Sequence, residues 1–252
     1  MLQGLSFLLV LKIDRSGGGD GVFLCKDFEE VENTLAKLSE KAKTGLVIQE
    51  YIEGDIVCVE AIFKKGTLLA YSFSVVTKTI TTPFSTSIQR VYKNGSPIEA
   101  SLLSIGKSLG IHGFSSMTFI YNAAQDTYFL IEADLRPQIW FSLSRFDGVD
   151  FSLAIMAFLE KDSEASPLQT IYRRDESKKE VVITHFTRSI SKAIAHHDFR
   201  EVIRWIGNKE ERWSYAGAYD GKLFLSFCAK LGKEVWEHAI YIGKMRLNRL
   251  LL

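Results

Sequence analysis

The stretch YFLIEADLRP, residues 128–137, carries the strongest signal in this chain. Read as a strand, it directs Glu132, Asp134 and Arg136 to one face, because successive side chains of a strand point to opposite sides. Two carboxylates and a guanidinium in one row suit a divalent metal that carries a polyphosphate, since carboxylates are hard oxygen ligands and arginine offers paired donors to phosphate. A surface strand can show the same alternation, so this interpretation needs support from elsewhere in the chain.

A glycine-rich loop near the start of the chain gives that support. It reads DRSGGGDGV over residues 14–22 and follows an apolar strand that ends near Lys12. Clustered glycines let backbone N–H groups approach a phosphate without side chains in the way. The loop is not a Walker loop, because no GK[ST] follows, nor a dinucleotide fingerprint, because the next segment is a short strand rather than a helix. A mobile hairpin tip is the alternative interpretation.

A third segment, VIQEYIEGD over residues 47–55, reads as a strand that ends at a glycine turn. The backbone groups of such a strand end can bind the edge of a purine while an apolar side chain packs on the ring. An ordinary strand end followed by an acidic turn is the alternative.

Composition excludes several classes of protein. With 252 residues, of which 46% are hydrophobic, the chain can form one large domain or two small ones. The formal charge of +1 requires neither nucleic acid nor a membrane surface as a partner. Three scattered cysteines favour reduced thiols in the cytoplasm over disulfides or a zinc site. The apolar start of the chain is too short to span a bilayer and lacks the features of a signal peptide.

Periodicity predicts a mixed fold. Helical spacing covers residues 27–43, 97–109 and 149–159, and Asp27 with Glu30 forms a capping-box pair at the first of these. The sequence Lys64-Lys65-Gly66 predicts the turn of a hairpin.

The run from 77 to 91 is rich in Thr and Ser and is predicted to be a loop. The cations that flank it, Lys78 and Arg90, could reach an active site, since long loops often carry functional residues. Beyond residue 161 the sequence becomes more polar and charged, and Val181–Phe186 is predicted to be a strand.

The order of these pieces resembles the ATP-grasp superfamily. The resemblance covers roughly residues 5–160, from the strand and glycine loop through the EYxEG segment to the acidic strand. It implies an α+β fold in which two α+β subdomains clamp a nucleotide. The implied domains are a lid subdomain with the glycine loop (1–47), a metal and nucleotide subdomain (48–160), and a small mixed α/β C-terminal extension of unknown role (161–252).

The resemblance also implies roles for individual residues. Lys12 and Arg136 would be the catalytic cations, and Glu132 and Asp134 would bind Mg2+ (or Mn2+). The residues implied to bind ATP are Lys12, Ser16, Gly17, Gly18, Gly19, Gly21, Gln49, Glu50, Ile52 and Asp55.

The sequence departs from the family pattern at several points. Asp134 stands where members usually carry Asn, and Thr118 where a further metal-binding side chain is usual. Ile56 stands at the position of the ribose-binding acid, although Asp55 could replace it. The N-terminal substrate-side domain and an upstream phosphate-binding lysine of the family are not in the sequence, so a truncated, split or degenerate member is expected.

The implied activity is an ATP-dependent ligase that activates a carboxylate as an acyl phosphate for attack by an amine or a similar nucleophile. The alternative is a non-catalytic or split-enzyme ATP- and magnesium-binding module. The expected partners are a small carboxylate and an amine, with no nucleic acid and no membrane. A homodimer, or a partner chain that supplies the N-terminal domain, is also expected.

Overall fold

The computed structural model describes most of the chain up to residue 160, a short segment after residue 180, and scattered helical positions near the C-terminus. The described ranges are 8–14, 19, 21–39, 45–80, 82–93, 98–146, 148–160 and 180–185, with Lys222, Leu225, Ser226, Ala229, Gly232, Lys233 and Trp236.

A small antiparallel sheet is built from the first three strands, β1 (Leu9–Ile13), β2 (Val22–Cys25) and β3 (Leu46–Glu50), in the order β2-β1-β3. Helix α1 (Phe28–Lys37) places Val31 in a core with Leu9 and Leu11.

The predicted cap at the start of this helix is confirmed. The Glu30 backbone N–H donates to Asp27 Oδ1 at 2.8 Å, and the Lys26 N–H donates to Glu30 Oε2 at 2.8 Å. The helix ends at Lys37, six residues before the predicted end at Lys43.

A larger antiparallel sheet contains six strands in the order β8-β7-β4-β5-β6-β9. Its strands are β4 (Asp55–Lys64), β5 (Thr67–Thr79), β6 (Ser87–Tyr92), β7 (Gly113–Asn122), β8 (Thr127–Asp134) and β9 (Val181–Thr184). The predicted turn between β4 and β5 is confirmed: Lys65 and Gly66 both have positive φ, as tight hairpin turns require.

Both faces of β4 are buried, against different partners. Val57, Val59 and Phe63 pack in the core that includes helix α2 (Ile98–Leu109), while Ile62 on the other face packs with helix α3 (Phe151–Leu159). By alternation, Cys58 and Glu60 lie on the same side as Ile62, nearer the start of the strand. On this face, the end of β4 that contains Ile62 is therefore covered by α3, whereas the end that contains Cys58 borders a cavity.

The prediction of a loop over 77–91 is wrong. Strand β5 runs to Thr79 and β6 begins at Ser87, so only residues 80–86 connect them. Thr and Ser are tolerated in strands whose one face lies against a polar cavity, and β-branched Thr fits a pleated surface well. The loop was predicted because this segment is polar, but polar residues also occur in these two strands.

Strand β9 adds to the edge of the large sheet through β6. The 161–252 range therefore contributes a strand to this sheet, and β3 spans the domain boundary drawn after residue 47. The predicted α+β class is confirmed. Among the helices described, none has the length and apolar content needed to cross a membrane.

Candidate active site

A cavity of about 620 Å3 lies between the small sheet and the large one. Clefts of this volume are typical of small-molecule sites. Lys12 and Gly19 line it from the small-sheet side, and Glu132, Asp134 and Arg136 line it from the large-sheet side. The structure thus places Lys12, Gly19 of the glycine loop and the acidic strand at one cleft.

The acidic strand β8 reaches the cavity through a bulge. Its pairing with β7 shifts between Thr118 and Phe119, so that Thr118 faces Glu132 and Phe119 faces Leu130. Ile131 is the extra residue, and it lines the cavity together with Glu132, although strict alternation placed it on the opposite face. Bulges re-aim side chains in this way and are frequent beside active sites.

Asp134 is held by two side chains that follow it in the sequence. Its Oδ2 accepts a hydrogen bond from Arg136 Nη2 at 3.1 Å and a short one from Gln138 Nε2. The Arg136 side chain is 67% exposed, so this ion pair adds little stability. What it provides is position, since it keeps a guanidinium beside the acids.

Lys12 connects the two sheets electrostatically. Its side chain is half-buried, and burial lowers the pKa of its ammonium from the ordinary value, while the Glu132 carboxylate acts in the opposite direction. The two charges therefore act on each other across the cavity.

Part of the glycine loop contacts the connection between β5 and β6. Gly19 has φ +86°, and a Cβ at this position would lie 2.3 Å from the Phe84 carbonyl oxygen. Only glycine allows this approach. Gly21 also has positive φ and accepts a hydrogen bond from the Ile13 N–H at 2.9 Å. The other predicted loop residues, Ser16, Gly17 and Gly18, lie outside the described residues.

The predicted adenine-binding segment is not brought to this cavity. Gln49, Glu50 and Asp55 are exposed and Ile52 is half-buried, and none of the four is among the lining residues. The neighbouring residues Val47 and Ile56 line the wall instead.

Cys58, Arg90 and Trp140 are among the further polar residues that line the cavity. The sequence indicated Arg90 only through its place beside a polar run, and it gave no signal for the other two. Lys78, the second cation of that run, is half-buried and is not among the lining residues. Cys25 and Cys58 are both free thiols.

The carboxylates fit a magnesium ion that binds together with a nucleotide. Within the described ranges, no three His, Cys, Asp or Glu side chains gather as metal ligands. Magnesium commonly takes one or two carboxylates and completes its shell with water and phosphate oxygens. Glu132 and Asp134 supply that number at the cavity.

The comparisons with known proteins assign the fold. No family model and no curated protein matches the chain. Among solved structures, it is similar to the biotin carboxylase domain of the Hydrogenobacter thermophilus 2-oxoglutarate carboxylase, in complex with MgADP, ADP and bicarbonate (TM-score 0.52, 19% identity, 68% of this chain). It is also similar to carboxyaminoimidazole ribonucleotide synthase from Aspergillus clavatus, complexed with ATP (TM-score 0.51, 15% identity, 72% of this chain). A third is biotin carboxylase from Campylobacter jejuni (TM-score 0.50, 14% identity, 63% of this chain).

The chain has the ATP-grasp fold. The match covers 40%, 46% and 39% of those three chains, respectively. At these identities the likeness gives the ATP-grasp architecture and leaves the substrates to be argued from the residues of this chain.

Proposed function

We propose that this chain is an ATP-dependent ligase that activates a carboxylate as an acyl phosphate for attack by an amine or a similar nucleophile. The observation that carries the proposal is the convergence of Lys12, Gly19, Glu132, Asp134 and Arg136 on one cavity between two sheets. Solved structures of the same fold are complexed with ATP or MgADP, which supports a nucleotide as the occupant.

Each side chain has a proposed task. Lys12 and Arg136 supply fixed positive charge for the phosphates and for the phosphoryl group in transfer. The backbone at Gly19 lies at the cavity and would approach the phosphates closely. Mg2+, held by Glu132 and Asp134, would neutralise charge on the phosphate oxygens. Catalysis of this kind is mostly positioning and electrostatics.

Both steps of the proposed reaction are substitutions, so neither needs an oxidant or a reductant. A substrate carboxylate oxygen bonds to the γ-phosphorus as the bond to the β-phosphate oxygen breaks, which releases ADP. The amine nitrogen then bonds to the acyl carbon, inorganic phosphate leaves, and the amine proton passes to solvent.

Binding of Mg·AMPPNP, measured by calorimetry, tests the proposal. We expect Glu132→Ala to weaken magnesium-dependent binding by at least the roughly 10–100-fold that changes in the outer ligand shell cost. Glu29→Ala is the matched control, because Glu29 is an exposed acid on α1 away from the cavity. No binding of millimolar nucleotide, or equal binding by Glu132→Ala, would overturn the proposal.

A second measurement separates a ligase from a nucleotide-binding module. ADP release across a panel of carboxylates and amines should show turnover that depends on both substrates. Binding of Mg·AMPPNP without turnover for any pair would favour the module.

The domain boundaries, a cytoplasmic location and self-association are also part of the proposal. One structural neighbour is a domain dimer. Light scattering on the purified chain tests self-association directly.

A further inference from the structure

Arg90, which lines the cavity on the large-sheet side, belongs to a buried ion pair. Arg90 of β6 donates from Nη1 to Glu60 Oε1 of β4 at 3.0 Å, across the intervening strand β5. The Arg90 and Glu60 side chains are 8% and 0% exposed. Burying two charges is costly, so such a pair needs a reason beyond stability.

Arg90 is held in one orientation by three contacts. Besides Glu60, its Nε donates to Ser87 Oγ at 3.1 Å, and its guanidinium carbon lies 4.2 Å from the centre of the Trp140 ring. Trp140 is itself 2% exposed. A guanidinium fixed in this way loses little entropy when it binds a planar anion. These two hydrogen bonds use fewer N–H groups than a guanidinium carries, so Arg90, a cavity-lining residue, keeps further donors for a ligand.

Two polar atoms beside Arg90 have no hydrogen-bond partner. Glu60 Oε2 and Trp140 Nε1 are both buried, and neither contacts a donor or acceptor among the described residues. Buried polar groups are nearly always paired, and exceptions commonly mark a site for a ligand or for water. The Trp140 N–H is a donor on a residue that lines the cavity.

Strand register separates this pair from the acidic strand. Glu60 of β4 pairs with Ser116 of β7, and Ser116 pairs with Asp134 of β8. Glu60 and Asp134 thus lie in one row, two strand spacings or about 10 Å apart. A phosphate chain bound at Asp134 leaves room for a small molecule between it and Arg90.

We propose that Arg90 binds a carboxylate group of one of the two substrates that are ligated, at a subsite formed with Trp140 and Ser87 and separate from the phosphate side of the cavity. This inference rests on the proposed ligase function, which requires a carboxylate and an amine. The carboxylate belongs either to the acid substrate, as a second acidic group, or to the amine substrate, as in an amino acid. Glu60 is a positioning residue, and its charge offsets that of Arg90, so recognition depends on hydrogen-bond geometry.

Ligand-observed NMR with small carboxylates tests the subsite. The protein is first saturated with Mg·AMPPNP and then titrated with succinate and glycine, each beside its amide counterpart, succinamate and glycinamide. We expect one of the acids to bind better than its amide, and Arg90→Lys to weaken that binding about tenfold, because lysine keeps the charge but loses the forked donors. Succinate preference assigns the group to the acid substrate, and glycine preference assigns it to the amine.

The control variant is Lys93→Gln, which removes an exposed cation near the end of β6. It should bind the acids like the wild type. Trp140→Phe is a second test variant, which keeps both members of the ion pair. It should weaken carboxylate binding several-fold, because it removes the indole N–H.

Three results would overturn the inference: no carboxylate bound by the wild type, equal binding by Arg90→Lys, or loss of Mg·AMPPNP affinity in Arg90→Lys as large as in Lys12→Met. The proposed function fails separately, if the wild type binds no Mg·AMPPNP. In that case the titrations are repeated without nucleotide, and the subsite is judged by them alone.

Discussion

Two cations line the same cavity, but the chain holds them in different ways. Lys12 lies on β1, the central strand of the small sheet, and is half-buried, with the Glu132 carboxylate as its electrostatic partner. Arg90 is buried in the large sheet against Glu60, Ser87 and Trp140. The comparison shows that two cations at one cavity can have different roles. Lys12 is available to a ligand, whereas Arg90 is also part of the folded core.

The largest expected effect is on stability, and it falls on Arg90 alone. Arg90→Ala leaves Glu60 buried without its partner, which should lower the free energy of unfolding by about 3–5 kcal/mol. Lys12→Ala should lower it by less than about 1 kcal/mol, because a partly exposed cation contributes little. Urea unfolding followed by tryptophan fluorescence measures both.

A double variant checks the cause of that loss. Glu60→Gln with Arg90→Met removes both charges and should recover much of the stability, since a neutral pair avoids the cost of burying charges. Equal stability of Arg90→Ala and the wild type would mean that the ion pair contributes nothing to the fold.

The second effect is on activity, and here substitution of Lys12 should have the larger effect. Lys12→Met should lower ADP formation from Mg·ATP by about 10²–10³-fold, as expected for loss of one preorganised charge at a phosphoryl group. Lys37→Met, which removes an exposed lysine at the end of α1, is the control. A rate within a few-fold of the wild type would remove Lys12 from the proposed machinery.

The same contrast explains how much the sequence could predict. Lys12, the glycine loop and the acidic strand are each visible in a short run of residues, through alternation or glycine content. Their convergence was inferred from the resemblance to a family, and the cavity brings the described members together. The bulge at Ile131 was not foreseen, because bulges depend on pairing with another strand.

The sequence pointed to Arg90 as a cation that could reach the site, but not to its ion pair with Glu60. Arg90 and Glu60 are 30 positions apart in the sequence, and they meet across β5, which lies between their strands. The position of the predicted adenine-binding residues outside the cavity lining has a related cause. Leu46 and Ile48 pack in the small-sheet core, so Val47 takes the opposite face, and the strand leaves the cavity before Gln49. Local alternation predicts a face, but it does not predict where a strand passes the site.

A third effect concerns the contact between Gly19 and the β5–β6 connection, which joins the small-sheet and large-sheet sides of the cavity. Gly19→Ala places a Cβ within 2.3 Å of the Phe84 carbonyl oxygen at a residue with φ +86°, so the loop must shift away from the β5–β6 connection. We expect Mg·AMPPNP affinity to fall several-fold, on top of about 1–2 kcal/mol of backbone strain.

Gly110→Ala is the matched control for that substitution. Gly110 also has positive φ, +60°, but a Cβ there would meet nothing within 4 Å. It should cost similar stability and leave nucleotide affinity unchanged. If both variants bind Mg·AMPPNP alike, the approach of the glycine loop to Phe84 has no role in binding.

The smallest effect is a pH dependence that belongs to Lys12. Burial lowers the pKa of its ammonium below the ordinary value of 10.5, and Glu132 only partly opposes this. Between the lowered pKa and 10.5, the unfolded chain binds more protons than the folded one, so the free energy of unfolding should rise with pH in that window. Lys12→Met lacks this rise, and the difference between the two unfolding curves isolates it. Glu132→Gln removes the carboxylate that raises the pKa, so the window should widen toward lower pH. A narrower window in Glu132→Gln would contradict the electrostatic contact between the two sheets, because it would mean that the carboxylate does not stabilise the ammonium across the cavity.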